Sequence, residues 1–143
     1  MSSITDQASE ALVAVLGEDV PSASTIDPGI RAEVNDKFNN RVVVVGSGAS
    51  LRHPFVPGKY DVSGEVLVQQ SVDSDDAETN FRTLCDEVRR SMENKDTYPG
   101  RLEAKQPGML VYSWIFQEQA ANPSKRGFQA VFQWSIFAEL PIN

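Results

Sequence analysis

The chain has 143 residues, enough for one domain with a genuine core. Its net charge of −7 excludes a nucleic-acid surface built on a broad basic patch, although DNA could still pass through an acidic channel without sticking. Cys85 is the only cysteine, which excludes an internal disulfide and the Cys-rich zinc patterns, and no apolar run approaches the ~20 residues that a membrane helix needs.

The N-terminal stretch "MSSITDQASE" has neither a basic n-region nor a long apolar h-region, so it does not read as a signal peptide. From Ile4 to Leu16, the residues Ile4, Ala8, Ala11, Leu12 and Val15 recur at helical spacing. Ser3 or Thr5 is the expected cap, and Gly17 the expected stop. "EDVPSASTIDPG" reads as a loop, and "IRAEVNDKFNN" fits either a short strand or a turn or two of helix. "RVVVV", Arg41 to Val45, is a β-branched run suited to a buried strand and closed by "GSGAS". Gly46 to Lys59, with Pro54, Pro57 and Gly58, is expected to form a long exposed loop or hairpin arm.

From Tyr60 the residues alternate, with Tyr60, Val62, Val66 and Val68 on one face and Gly64 marking a candidate bulge. Phe81, Leu84, Cys85, Val88 and Met92 then form the clearest amphipathic stripe, on a helix expected from Ala77 to Asn94. "KDTYPGRLEAKQPG" reads as a loop with room for a short strand. Two aromatic strands follow: the first places Leu110, Tyr112, Trp114 and Phe116 on one face, the second Phe128, Phe132, Trp134 and Ile136. The polar connector "AANPSKR" suits a hairpin loop. The expected fold is a single α+β domain over 1–143, with a mainly antiparallel sheet packed by two amphipathic helices and a protruding arm.

Candidate chemistry is sparse. Asp73, Asp75, Asp76 and Glu78 invite a calcium reading, but counting from Asp73 puts Ala77, Glu78 and Leu84 at the fifth, sixth and twelfth loop positions, where an EF-hand needs a ligand, a glycine and a glutamate. Asp75 with Glu78 instead fits a capping box, with Asp76 and Glu78 at the positive end of the helix dipole. "RVVVVGSGAS" begins like a dinucleotide fingerprint, but Leu51 occupies the third glycine position and Pro54 and Pro57 forbid the phosphate-binding helix. His53, the sole histidine, and Cys85 could in principle pair, but no third group recommends them. The aromatic strands lack the Lys and Arg ring of a single-strand binding platform, so they read as core. Arg90 is placed to pair with Asp86 one turn back. No catalytic, cofactor or metal residue is assigned, and the chain is not expected to be an enzyme.

The order of elements and their wording carries a resemblance. An N-terminal amphipathic helix, "ITDQASEALVAVLGED", precedes the valine strand "RVVVV". "PGKYDVSGEVLVQQS" then leads through an acidic turn into "DDAETNFRTLCDEVRRSMEN", and the two strands "GMLVYSWIFQEQ" and "GFQAVFQWSIFAEL" finish the chain. This arrangement resembles the tail-terminator (tail-completion) and neck proteins of long-tailed bacteriophages. The resemblance implies a structural virion protein, assembled in the host cytoplasm, that forms a ring, commonly a hexamer, at the head-proximal end of the tail. Such rings end tube polymerisation and join the tail tube protein to the head connector, with DNA passing through the lumen. The family has no catalytic residues to transfer. Neighbouring alternatives are another neck adaptor, a capsid decoration protein, or a small α+β ligand-binding module. In the arm, the apolar Leu51, Phe55 and Val56 beside Arg52 and Lys59 are the expected subunit or partner contacts.

Overall fold

The computed structural model describes residues 3–29, 39–52, 57–72, 75–119, 122–124 and 127–140. Among these residues, three helices and six strands run in the order α1 (Ile4–Asp19), β1 (Thr25–Pro28), β2 (Arg41–Leu51), β3 (Lys59–Ser71), α2 (Ala77–Met92), α3 (Tyr98–Lys105), β4 (Leu110–Glu118), β5 (Asn122–Ser124) and β6 (Gly127–Glu139). The sheet has the order β1-β2-β3-β6-β4, with β5 pairing β6. Every pair is antiparallel except β1 with β2. The fold is therefore α+β with a mainly antiparallel sheet, as the sequence pattern implies.

Alternation decides which face of the sheet is covered. Val42, Val44, Val62, Val66, Val68, Phe132, Trp134 and Ile136 share one cluster with the apolar stripes of all three helices. Since strand residues two apart share a face, α1, α2 and α3 all pack on that one side. Within this layer Phe81 of α2 stacks on Phe128 at 5.4 Å between centroids. Trp114 lies between Tyr98 of α3 and Trp134 of β6, and its indole Nε1 donates to the Met92 carbonyl at 2.8 Å. On the opposite face, Val43, Leu67 and Val131 make a second, small buried cluster toward one end of the sheet. Gln69, fully buried beyond it, accepts from Arg41 and donates to Gln129.

Several local expectations need correction. α1 passes through Gly17 and ends only at Asp19, with Val20 N–H closing the last turn on the Leu16 carbonyl. Ser3 is the cap, its Oγ accepting from Asp6 N–H at 3.1 Å. The segment read as a loop before the valine strand contains β1, and "GSGAS" continues β2 instead of closing it. The bulge expected at Gly64 falls at its pairing with Gly46, but the extra residue, Ser47, is on β2, between Gly46 and Gly48. Gly64 is required for close approach instead: a Cβ there would meet the Val45 carbonyl and the Trp134 ring. The segment from Tyr98 is a third helix, started by Pro99 in its first turn, where a missing N–H costs nothing. "IRAEVND" and the following Lys37 and Phe38 lie outside the described residues.

Candidate interface surface

The acidic cluster is a junction, though not the capping box expected from it. Asp76 occupies the N-cap of α2 with φ +54° and makes no side-chain cap bond. A capping residue ordinarily has extended backbone angles, which Asp76 lacks. Glu78 is engaged by Arg82 one turn on, and Asp75 offers its backbone carbonyl to the Asn80 side chain. Asp73 lies outside the described residues. Asp86 pairs with Arg89 rather than with Arg90. Arg89 reaches it while also forking onto Glu118 of β4 at 2.6 and 2.7 Å, which clamps α2 to the sheet. The Glu118 carboxyl is held below its usual range by that guanidinium.

Cys85 is buried on the packed face of α2, and burial pushes its thiol up to about 12. A thiol so placed is neither ionised nor reachable at neutral pH. His53 lies outside the described residues.

A second polar group joins the three helices. The Arg101 guanidinium of α3 donates to both Asp19 oxygens, at 2.6 and 2.8 Å. Ser91 Oγ of α2 donates to Asp19 Oδ2 at 2.6 Å, leaving Tyr98 OH to donate to Ser91 Oγ at 2.5 Å. Lys105 pairs with Glu18 beside it. Tyr98 is fully buried, and burial raises its phenol well above the ordinary tyrosine range. Each member here is bonded to another, so the group locks the three helices together.

The surface that stands out is the outer face of the sheet at its hairpin end. The residues expected at the interface divide here. Leu51 is 44% exposed and pairs with Tyr60 in the β2–β3 hairpin. Arg52 N–H donates to the Lys59 carbonyl, and its guanidinium grips Asp61 with Nη2 at 2.6 Å from Oδ1. Phe55 and Val56 lie outside the described residues. Thus the stretch from Gly46 is half strand: the β2–β3 ladder runs through Leu51, paired with Tyr60, and β3 itself begins at Lys59.

Arg52 also links the hairpin to an aromatic group absent from the sequence-based set. Its Cζ lies 3.6 Å from the Phe137 ring centroid, and Phe137 in turn packs against Tyr112 at 5.1 Å. Tyr112 OH donates to Glu139 at 2.5 Å, and this bond raises the phenol pKa. Leu110 and Ile115 complete the patch at 41% and 64% exposure, against 52% for Tyr112. Leu110 and Tyr112 were expected in the core. A bulge between Val111 and Ser113 shifts the alternation by one, so Val111 and Trp114 face the helices and Leu110 and Tyr112 face out. The one available sequence signal is that "LVYSWIF" is apolar at both parities, so one face or the other had to show apolar groups. Beside Ile115 a shallow trough of about 330 Å³, bordered by Ser47, Ser63, Glu65 and Gln133, continues the surface across the sheet.

Comparison with models of protein families and with curated protein sequences finds no match. What the fold and this surface define is a class: an α+β chain with one sheet face sealed by helices and the other, among the described residues, uncovered at its hairpin end.

Proposed function

We propose that this chain is a structural subunit of a long-tailed bacteriophage, forming a ring, expected to be a hexamer, at the head-proximal end of the tail. There it would end tube polymerisation and join the tail to the head connector. The observation that carries this reading is the outer face: among the described residues Leu110, Tyr112 and Ile115 are exposed together beside Phe137, with Arg52 held over that ring. A chain that remained alone would gain little from grouping large apolar side chains in solvent, whereas an assembly subunit buries them on docking. The net charge of −7 suits a lumen through which DNA slides without sticking.

The test is polymerisation of the tail tube protein of the same phage with and without this protein. Electron microscopy should show tubes capped at one end and no longer growing there. Arg52→Glu combined with Phe55→Ala should keep the circular dichroism spectrum and lose capping. A wild-type protein that neither forms rings nor attaches to tube ends would overturn the reading.

A further inference from the structure

The hairpin half of the sheet leaves two different strand edges open among the described residues. On one side β4 is the terminal strand, engaged at Val111 by Glu103 of α3 and otherwise without a strand partner on that side among the described residues. On the other, β1 pairs with Arg41–Val44 of β2 and Gly29 N–H donates to the Val44 carbonyl, while among the described residues Val45–Leu51 pairs with β3 alone. Open edges are normally blunted by lysine, proline or a covering element, and neither of these stretches contains a lysine or a proline.

The two edges complement each other in three respects. The first is size: β4 carries the bulky, exposed Leu110, Tyr112 and Ile115, whereas β2 offers Gly46, Ser47, Gly48, Ala49 and Ser50 between the larger Val45 and Leu51. Direction is the second. Strands β2, β3, β6 and β4 alternate antiparallel, so β4 of one copy laid beside β2 of the next would meet it antiparallel and continue the pattern. The third is charge. At the hairpin end the β4 flank holds Glu139 and Glu103, whose carboxylate takes the Val111 N–H at 2.7 Å, while the β2 flank ends in Arg52, paired with Asp61, and Lys59 lies across the hairpin. An isologous β4–β4 pairing would instead set bulky groups against bulky groups and bring Glu103 toward Glu118 of the second copy.

The geometry points to a head-to-tail contact in which β4 of one copy adds to the Val45–Leu51 edge of β2 in the next. A contact between two unlike edges closes into a ring when the rotation per copy allows it, and otherwise runs on as a filament. The inference rests on the ring reading for its biological setting and supplies the contact that such a ring would use.

Cysteine cross-linking tests it, since Cys85 is buried and the introduced thiols would be the reactive ones. Ser50→Cys with Ile115→Cys, two exposed positions on the outer face, should give a ladder of multimers with a short bismaleimide. Each single variant alone should stay monomeric on denaturing gels, and a mixture of the two should give dimers and nothing larger. Dimers from Ile115→Cys alone, or no products up to the solubility limit with an unchanged circular dichroism spectrum, would overturn the contact. A ladder from a protein that ignores tube ends leaves the contact standing and the tail function wrong; capped tubes without a ladder mean the reverse.

Discussion

Arg52 shows how one side chain can serve the fold and a surface together. Its guanidinium is half exposed, yet it is aimed twice, by Asp61 across the hairpin and by the Phe137 face beneath it. An exposed ion pair contributes little by itself, ~0.2–1 kcal/mol, and stacking on an aromatic ring adds a comparable amount. The value of the arrangement is that the cation is held in place before any partner arrives. Cys85 is the opposite case, a chemically capable group that packing has silenced. Its position in the Phe81, Leu84, Val88, Met92 stripe was readable from spacing, and the structure buries it there. Cys85→Ala should therefore cost roughly 1 kcal/mol in chemical denaturation, as expected for loss of a small buried group, and leave assembly intact. Complete loss of assembly in a stable, normally folded variant would bring the thiol back into consideration.

Among the elements, α2 separates periodicity from capping. Its apolar stripe predicted the buried face residue by residue, because a helix repeats every 3.6 positions whatever its ends do. The cap was not predicted correctly, since it depends on the backbone angles of one residue. Asp76 at φ +54° holds a conformation that glycine adopts more readily. Asp76→Gly should therefore be neutral or stabilising by up to ~1 kcal/mol, whereas a true capping aspartate would lose stability. Asp75→Ala, with no side-chain cap bond to lose, should stay within ~0.5 kcal/mol of wild type. Thermal melts of the two variants decide this, and a drop of a kilocalorie or more for Asp75→Ala would restore the capping box. β4 teaches the same lesson for strands: a single bulged residue, Tyr112, exchanged the faces of the residues before it.

At the scale of the whole molecule, Asp19 ties the ends of the helical layer together. Arg101 holds its carboxyl below the ordinary aspartate range, and Ser91 assists, while partial burial opposes them. An aspartate with a depressed folded-state pKa stabilises the native state above its unfolded value, ~3.9, and loses that contribution as pH falls through the folded value. Glu118, held down by Arg89, acts in the same direction. Stability should thus be flat at neutral pH and fall below about pH 4. Asp19→Ala should cost ~1–3 kcal/mol at pH 7, because it removes the bonds from Arg101 and Ser91 and leaves Arg101 only the longer contact to Glu18, and should flatten the acid limb of the melting-temperature profile. An unchanged profile in Asp19→Ala would show that the three-helix lock contributes little.

The α+β class, the stripe of α2, the inward face of β6 and the strand core at Val42–Val44 were legible in the sequence because each follows from a local period. Local periods survive wherever the chain is regular. The third helix was hidden because Pro99 and Gly100 look like turn residues unless docking supplies the missing stability, which Tyr98 and Leu102 provide from the core. The hairpin half of β2 was hidden because glycine and serine have no strand preference of their own; pairing with β3 imposes it. The outward patch of Leu110, Tyr112 and Ile115 depended on a bulge, on strand order and on which side the helices chose. Those are long-range choices, set by packing among segments distant in sequence, and only the tertiary structure decides them.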